Sequence, residues 1–270
     1  MNIQDSKKIF CDQLNDDFDL SRAEAVRNGV IVKAVEYGKN ARKYLSGSPF
    51  LYMAMLDGKL TVVADQAILP FMRNYIAAQA EPFRAFDAPS VFMLDEELHR
   101  HGHAVGNMLQ GFLLGDDAAR AANDDNVRFY HGQEIEQLYS YKNLHHAFCY
   151  TTTEKRRDVL AAAIFDGGRL AAVAACSNDG ERMWQIGVDV LAEHRNKGLG
   201  TRVVRALAAE TEKQGYCPYY CCAWSNVASM RTARAAGFVP CWVELASSPI
   251  ADDFMRGERE KVFGKGRADE

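Results

Sequence analysis

One stretch constrains this chain more than any other. An apolar run of strand length, Met183–Val190, leads through Leu191–His194 into Arg195-Asn196-Lys197-Gly198-Leu199-Gly200-Thr201, where an amphipathic helical pattern begins. Glycine lets a backbone turn sharply and approach a ligand without a Cβ clash. The first N–H groups of a helix have no internal partner, and the helix dipole favours an anion beside them. A pyrophosphate is the natural occupant of such a place, and Arg195 and Lys197 can add charge-assisted contacts. A glycine-rich helix start that binds nothing explains the loop equally well when it is taken alone.

Two other phosphate loops are excluded. The chain has no Gly-x-x-x-x-Gly-Lys-Ser/Thr run, so a P-loop is unsupported. A dinucleotide fingerprint needs a third small residue at position 203, which is Val, and an acidic residue near the end of the next strand. Tyr220-Cys221-Cys222-Ala223-Trp224 offers none.

The 270 residues are 48% hydrophobic and 25% charged, which suits a globular chain of one large domain or two ordinary ones. A formal net charge of −4 argues against nucleic acid or an anionic membrane as a general partner. No run is long enough to span a membrane. Met1–Lys8 is not followed by an apolar stretch of signal-peptide type, so a cytoplasmic place is expected. The seven cysteines are then expected to be reduced. Cys217, Cys221 and Cys222 match no paired zinc pattern and suit a buried strand better; no metal is expected.

A polar stretch, residues 115–125, suggests a boundary between an N-terminal α/β domain (1–120) and a C-terminal domain (126–250), with a charged tail at 251–270 that is expected to be disordered. In the N-terminal part, Phe50–Leu56 and Lys59–Ala64 read as strands across an Asp57-Gly58 turn, and Asp65–Ala78 as a helix containing Pro70. His99, His101 and His103 cluster without a carboxylate pattern and read as a solvated loop. Downstream, Val127–Tyr130 is a short strand and Gly132–Tyr139 begins a helix. Val159–Phe165 and Leu170–Cys176 flank the Asp166-Gly167-Gly168 turn, and Met183–Val190 is a third strand. Helix Gly198–Gln214, strand Tyr219–Ala223, helix Asn226–Ala236 and strand Val239–Leu245 follow, with Ser225 or Asn226 as a cap and Gly237 as a stop. The order implies an α/β layer structure with a mixed sheet.

The segment Ser225-Asn226 to Gly237-Phe238 adds a second motif at fixed distance from the first. Together they resemble the GNAT acetyltransferase superfamily. Its acetyl-CoA loop runs Arg or Gln, two residues, Gly, one residue, Gly, here Arg195 to Gly200. A later Asn, a helix and Gly-Phe match Asn226 and Gly237-Phe238. The resemblance covers roughly residues 127–245 and implies a mostly antiparallel mixed sheet flanked by helices, preceded here by a smaller α/β domain. It implies that acetyl-CoA binds with its pantetheine arm along Val188 and Val190. Its pyrophosphate would lie on Arg195, Asn196, Lys197, Gly198, Leu199, Gly200 and Thr201, and Asn226 would face the arm. A plain helix N-cap is the other reading of Asn226.

The implied activity is transfer of acetyl from acetyl-CoA to a primary amine, on a small molecule in the leading reading. A CoA-binding sensor or scaffold, or a protein N-acetyltransferase, is the alternative. Family members often place a base on the central strand; the matching stretch, Met183-Trp184-Gln185, holds none. Asp189 and Glu244 are the candidates, with Glu181 a weaker third. The family tyrosine seven residues after the Asn is Ala233 here. The N-terminal half lacks a phosphate loop. It is either a degenerate relative of the fold or a cap that shapes the acceptor pocket. A homodimer is compatible with this reading.

Overall fold

At Asp57-Gly58 and Gly167-Gly168 both central turn residues take positive φ (48° and 77°, 55° and 79°). Such turns match the right-handed twist of the strands they join and fix register at once. Leu56 accordingly pairs with Lys59 and Asp166 with Arg169. The computed structural model describes residues 1–20, 24–25, 29–43, 45, 50–116, 124–251, 257 and 261. Most of the polar stretch at 115–125 and most of the 251–270 tail lie outside the described residues.

The chain forms two compact units. The first contains residues 1–17, 38–46 and 110–241; the second contains 18–37, 47–109 and 242–270. Their segments alternate along the sequence, and two strands, β5 (His103–Leu114) and β11 (Phe238–Pro249), have residues in both.

Helix α1 (Ile3–Phe18) belongs to the first unit up to Asp17. Strands β6 (Val127–His131), β7 (Asp158–Asp166), β8 (Arg169–Ser177) and β9 (Met183–Val190) pair in an antiparallel series. Helix α4 (Leu199–Lys213) then crosses over to β10 (Cys217–Ala223), which runs parallel to β9. Parallel neighbours need such a crossover. Helix α5 (Val227–Ala235) follows, and the strand order of this unit is β11-β5-β10-β9-β8-β7-β6. The strands β7 and β8 are apolar on both faces because both faces are covered. Leu160, Ala162, Ile164, Ala172, Ala174 and Cys176 pack with Val203, Val204 and Leu207 of α4. Ala161, Ala163, Val173 and Ala175 pack with Ile135, Leu138 and Phe148 on the other side. The segment expected to begin a helix at Gly132 is a 3-10 helix, Gly132–Leu138, closed by a capping box between His131 and Glu134.

In the second unit the strand order is β1 (Glu24–Ala25), β2 (Val30–Ala34), β4 (Lys59–Ala64), β3 (Leu51–Leu56), β11 and β5. Only β2 and β4 are parallel among the registers of this unit. Helix α2 begins at Leu69 rather than Asp65, since Pro70 fits only a first turn. Helix α3 (Ala88–Arg100) also carries a proline, Pro89, in its first turn and had no recognised sequence signal. His103 stacks on Phe50 with ring centroids 4.3 Å apart, while His99 Nδ1 lies 2.8 Å from the Asp95 carbonyl. Among the described residues no group of three or more His, Cys, Asp or Glu side chains is placed to hold a metal ion. No described helix is long and apolar enough to cross a membrane.

Candidate functional site

The site is built where β9 and β10 separate. Their parallel pairing runs from Met183↔Cys217 to Ile186↔Tyr220 and stops there. Both strands continue, β9 to Val190 and β10 to Ala223. On its other side β9 stays paired with β8 as far as Val190↔Ala172. The edge of Gly187–Val190 that faces β10 is therefore left out of the ladder, which gives an extended ligand a backbone to bond.

Alternation places Val188 and Val190 on the α4 side, where both pack against the buried core. Gly200, in the first turn of α4, lies against them. An ideal Cβ there would stand 3.2 Å from Val190 Cγ2, 3.6 Å from Thr232 Cγ2 and 4.0 Å from Val188 Cγ2. The turn before it holds Asn196 at φ 61° and Gly198 at φ 73°. Asn tolerates that region and glycine takes it without strain. Gly198 is the N-cap of α4, so the helix starts with no side-chain cap and its first amides face outward unclaimed by the helix. Arg195, Asn196 and Lys197 are exposed, Leu199 and Thr201 are half-buried, and Arg195 Nε donates to the Val190 carbonyl at 3.2 Å. The structure thus brings Val188, Val190 and Arg195 to Thr201 into one patch.

Asn226 stands at the N-cap of α5, where its Oδ1 accepts the Ser229 amide at 3.0 Å. The sequence did not single out the neighbouring contact. Tyr220 of β10 and Ser229 share a 2.7 Å hydroxyl–hydroxyl bond that pins the first turn of α5 to the sheet. Burial, only partly offset by that bond, pushes the Tyr220 phenol up to about 12. Ala233 is fully buried in the same core.

Asp189 lies on the opposite face from Val188 and Val190. Its Oδ2 accepts the amides of His146 and Ala147, both at 2.8 Å. An ideal Cβ on Gly187 would stand 2.0 Å from the His146 carbonyl oxygen, so this loop lies directly on β9. Glu244 belongs to the second unit. It is buried, and its Oε2 accepts the Tyr52 hydroxyl at 2.7 Å and Trp242 Nε1 at 3.2 Å. Glu181 is exposed and lies two residues before β9 begins, not on the strand.

A second polar cluster on the Asp189 side was invisible to motif reading. Asp179 is fully buried. Its Oδ1 accepts Arg156 Nε, and its Oδ2 accepts Ser177 Oγ at 3.1 Å and the Tyr219 hydroxyl at 2.9 Å. Gln185 Oε1 takes Arg156 Nη2 at 3.3 Å. In sequence, Ser177-Asn178-Asp179-Gly180 looks like any polar turn between strands.

Residues 118–238 match the Acetyltransferase (GNAT) family. Among solved structures, the chain is similar to a GCN5-related N-acetyltransferase from Kribbella flavida at 19% identity and a TM-score of 0.41, over 57% of this chain and 63% of that one. It is similar to an acetyltransferase of the GNAT family from Colwellia psychrerythraea at 15% identity and a TM-score of 0.40, over 54% and 56%. It is also similar to a tandem GNAT protein from the clavulanic acid biosynthesis pathway at 18% identity and a TM-score of 0.40, over 62% and 59%. The chain thus spans less than two thirds of the length of each of these proteins. No curated protein matches it in sequence. With the glycine turn, the forked strands and the family match in hand, residues 118–238 carry a domain of the GNAT acetyltransferase family.

Proposed function

We propose that the protein transfers an acetyl group from acetyl-CoA to a primary amine of a small molecule, by direct attack of the amine on the thioester. The observation that carries this reading is the fork: four residues of β9, Gly187 to Val190, continue past the last β10 partner beside an uncapped helix start. The residues fit the ligand by chemistry. The open strand edge offers amides and carbonyls to a pantetheine arm, and the first amides of α4 with Arg195 and Lys197 suit its pyrophosphate. Asn226, at the α5 cap, is the residue we assign to face the pantetheine arm.

In the step itself the amine nitrogen bonds to the acetyl carbon, and the carbon–sulfur bond breaks with its electron pair going to sulfur. One proton leaves the nitrogen and one ends on the thiol. An alkylammonium has a reference pKa of about 10.4, so deprotonation at pH 7 costs roughly 4.6 kcal/mol and a proton acceptor is valuable. Asp189 and Glu244 are the carboxylates we assign for testing in that role. The thiol, with a reference pKa near 8.5, is a tolerable leaving group even though position 233 is Ala.

The test is thiol release from acetyl-CoA against a panel of amines, with CoA affinity measured in parallel by calorimetry. Saturable CoA binding with amine-dependent thiol release is expected. CoA binding without release for any amine would identify a sensor or scaffold instead.

A further inference from the structure

The open edge of β9 begins at Gly187, the first residue past the last β10 pair, Ile186↔Tyr220. One face of the strand is closed there, since Ile186, Val188 and Val190 pack with the core that α4 covers. The other face carries the segment from Leu144 to Tyr150. An ideal Cβ on Gly187 would stand 2.0 Å from the His146 carbonyl oxygen and 3.1 Å from Ala147 Cα. Asp189 Oδ2 accepts the amides of the same two residues, both at 2.8 Å. The main chain of His146 is thus fixed against the point where the strands part, on the side from which an acceptor can meet an acetyl group presented through the fork.

The segment is built to hold its shape. Leu144, Ala147 and Phe148 are buried with Ile135 and Leu138. The Tyr150 hydroxyl donates to the Leu144 carbonyl and closes the segment on itself. Asp158 accepts the Cys149 and Tyr150 amides at 2.9 and 3.0 Å. Asn143 and Tyr150, at its two ends, take positive φ of 65° and 60°. An aromatic residue enters that region only where its surroundings force it, and such strain gathers at functional sites. Between the buried anchors Leu144 and Ala147 stand two exposed residues, His145 and His146, with ring centroids 6.4 Å apart. Among the described residues no hydrogen bond or ion pair engages either imidazole.

We propose that this segment is the acceptor-side wall of the fork and that His146 is the base that takes the proton of the amine, directly or through one water. The inference rests on the acetyl-transfer reading of the same site and names its base. A histidine side chain has a reference pKa of about 6.5, close to the pH at which it has to work, and a base held on a rigid support is already in position. His146 takes one proton from the ammonium and passes it to bulk water. The neutral amine then bonds to the acetyl carbon, the carbon–sulfur bond breaks with its pair going to sulfur, and a second proton from nitrogen ends on the thiol. On this assignment Asp189, whose Oδ2 holds two amides, is a positioning residue. The other titratable and charged groups around the segment are Lys142, His145, Cys149 and Tyr150 of the segment and its flank, Asp158 of β7, Glu136 and Tyr139 of the 3-10 helix, and Arg156 and Asp179 beside Cys149.

The test is a pH–rate profile of the full chain with acetyl-CoA and the best amine of the panel. Wild-type kcat should fall as pH drops through the histidine range. His146→Gln should lower kcat at pH 7 by roughly 10²- to 10⁴-fold, lose that acid limb, and recover as pH rises and the amine deprotonates without help. The side chain is exposed, so thermal melting and CoA affinity should match wild type. His145→Gln should keep both the rate and the acid limb. His146→Ala should regain part of its rate when imidazole is added, a rescue that a purely structural role does not allow. A wild-type rate in His146→Gln, or an unchanged acid limb in it, would overturn the proposal. So would a raised KM with kcat unchanged, which would make His146 a binding contact. Turnover of no amine by the wild-type chain would strike the acetyl-transfer reading itself and this assignment with it, whereas the His146 outcomes strike the assignment alone.

Discussion

Gly200 touches Val190 so closely that a Cβ on the glycine would stand 3.2 Å from the valine Cγ2. The contact sets the distance between the start of α4 and the end of β9. Gly200→Ala should lower stability by on the order of 1–2 kcal/mol through overpacking, read as a shift in the denaturant midpoint. Gly200→Asp adds bulk and negative charge where a pyrophosphate would lie. Calorimetry should find CoA binding abolished in that variant; unchanged affinity would remove the phosphate assignment.

Arg195 and Lys197 are exposed beside the uncapped helix start. Lys197→Ala should weaken CoA binding by about tenfold, the equivalent of one charge-assisted contact. Arg195→Ala should do the same and also release the Val190 carbonyl that its Nε now bonds. Both losses should shrink as salt is raised, because exposed charges are screened. A salt-independent loss would point to a change of loop shape instead.

Asp189 can be tested without dismantling its surroundings. The side-chain carbonyl of Asn can still accept the His146 and Ala147 amides, so Asp189→Asn should fold normally. Asp189→Ala strands two amides and should cost about 1–3 kcal/mol for each that stays unsatisfied. If Asp189 takes the proton, Asp189→Asn should lower the rate by roughly 10² to 10⁴, with the loss shrinking at high pH. A wild-type rate at pH 7 would leave it a purely structural acceptor.

Glu244 joins Tyr52 and Trp242 in the second unit. Glu244→Gln should be assayed across pH in the same way. A role in acceptor binding would raise KM while kcat holds; a role as base would lower kcat. Tyr52→Phe separates the two further, since it removes one donor to Glu244 and leaves the carboxylate in place.

Burial pushes the Cys176 thiol up to about 12 and the Cys217 thiol up to about 11. Exposed Cys11 should therefore alkylate first at pH 8, with Cys176 and Cys217 protected until unfolding. The linkage has a definite sign. Between the ordinary thiol range, near 9, and these raised values the folded chain holds protons that the unfolded chain has lost. Unfolding free energy should accordingly fall as pH rises from about 9 toward 12. A stability flat across that range would show that these thiols ionise as easily folded as unfolded.

Local chemistry in the sequence determined the parts that need only neighbours along the chain. Asp57-Gly58 and Gly167-Gly168 demanded positive φ, so the β3–β4 and β7–β8 hairpins were legible, while the irregularities in the β7–β8 register at Ile164/Phe165 and Asp158/Leu160 were not. Met183–Val190 was legible to the residue, and the glycine start of α4 and the Asn226 cap of α5 were legible as well. Helix α1, strand β5 and helix α3 were not, because their apolar faces make sense only once the elements that cover them are known.

The tertiary structure decided everything that depends on a distant partner. Both β9 and β10 continue past Ile186↔Tyr220, yet pairing ends there, and no periodicity in either strand records it. Alternation put Asp189 opposite Val188, but only the fold laid the His146–Ala147 loop on that face. Glu244 lies beyond Gly237-Phe238 in sequence, yet its buried partners come from β3 and its own strand. Arg156 and Asp179 are 23 residues apart and belong to no motif. Side-chain pattern fixes which residues are inward; which element meets them, and therefore where charge gathers, is set by long-range pairing of the strands.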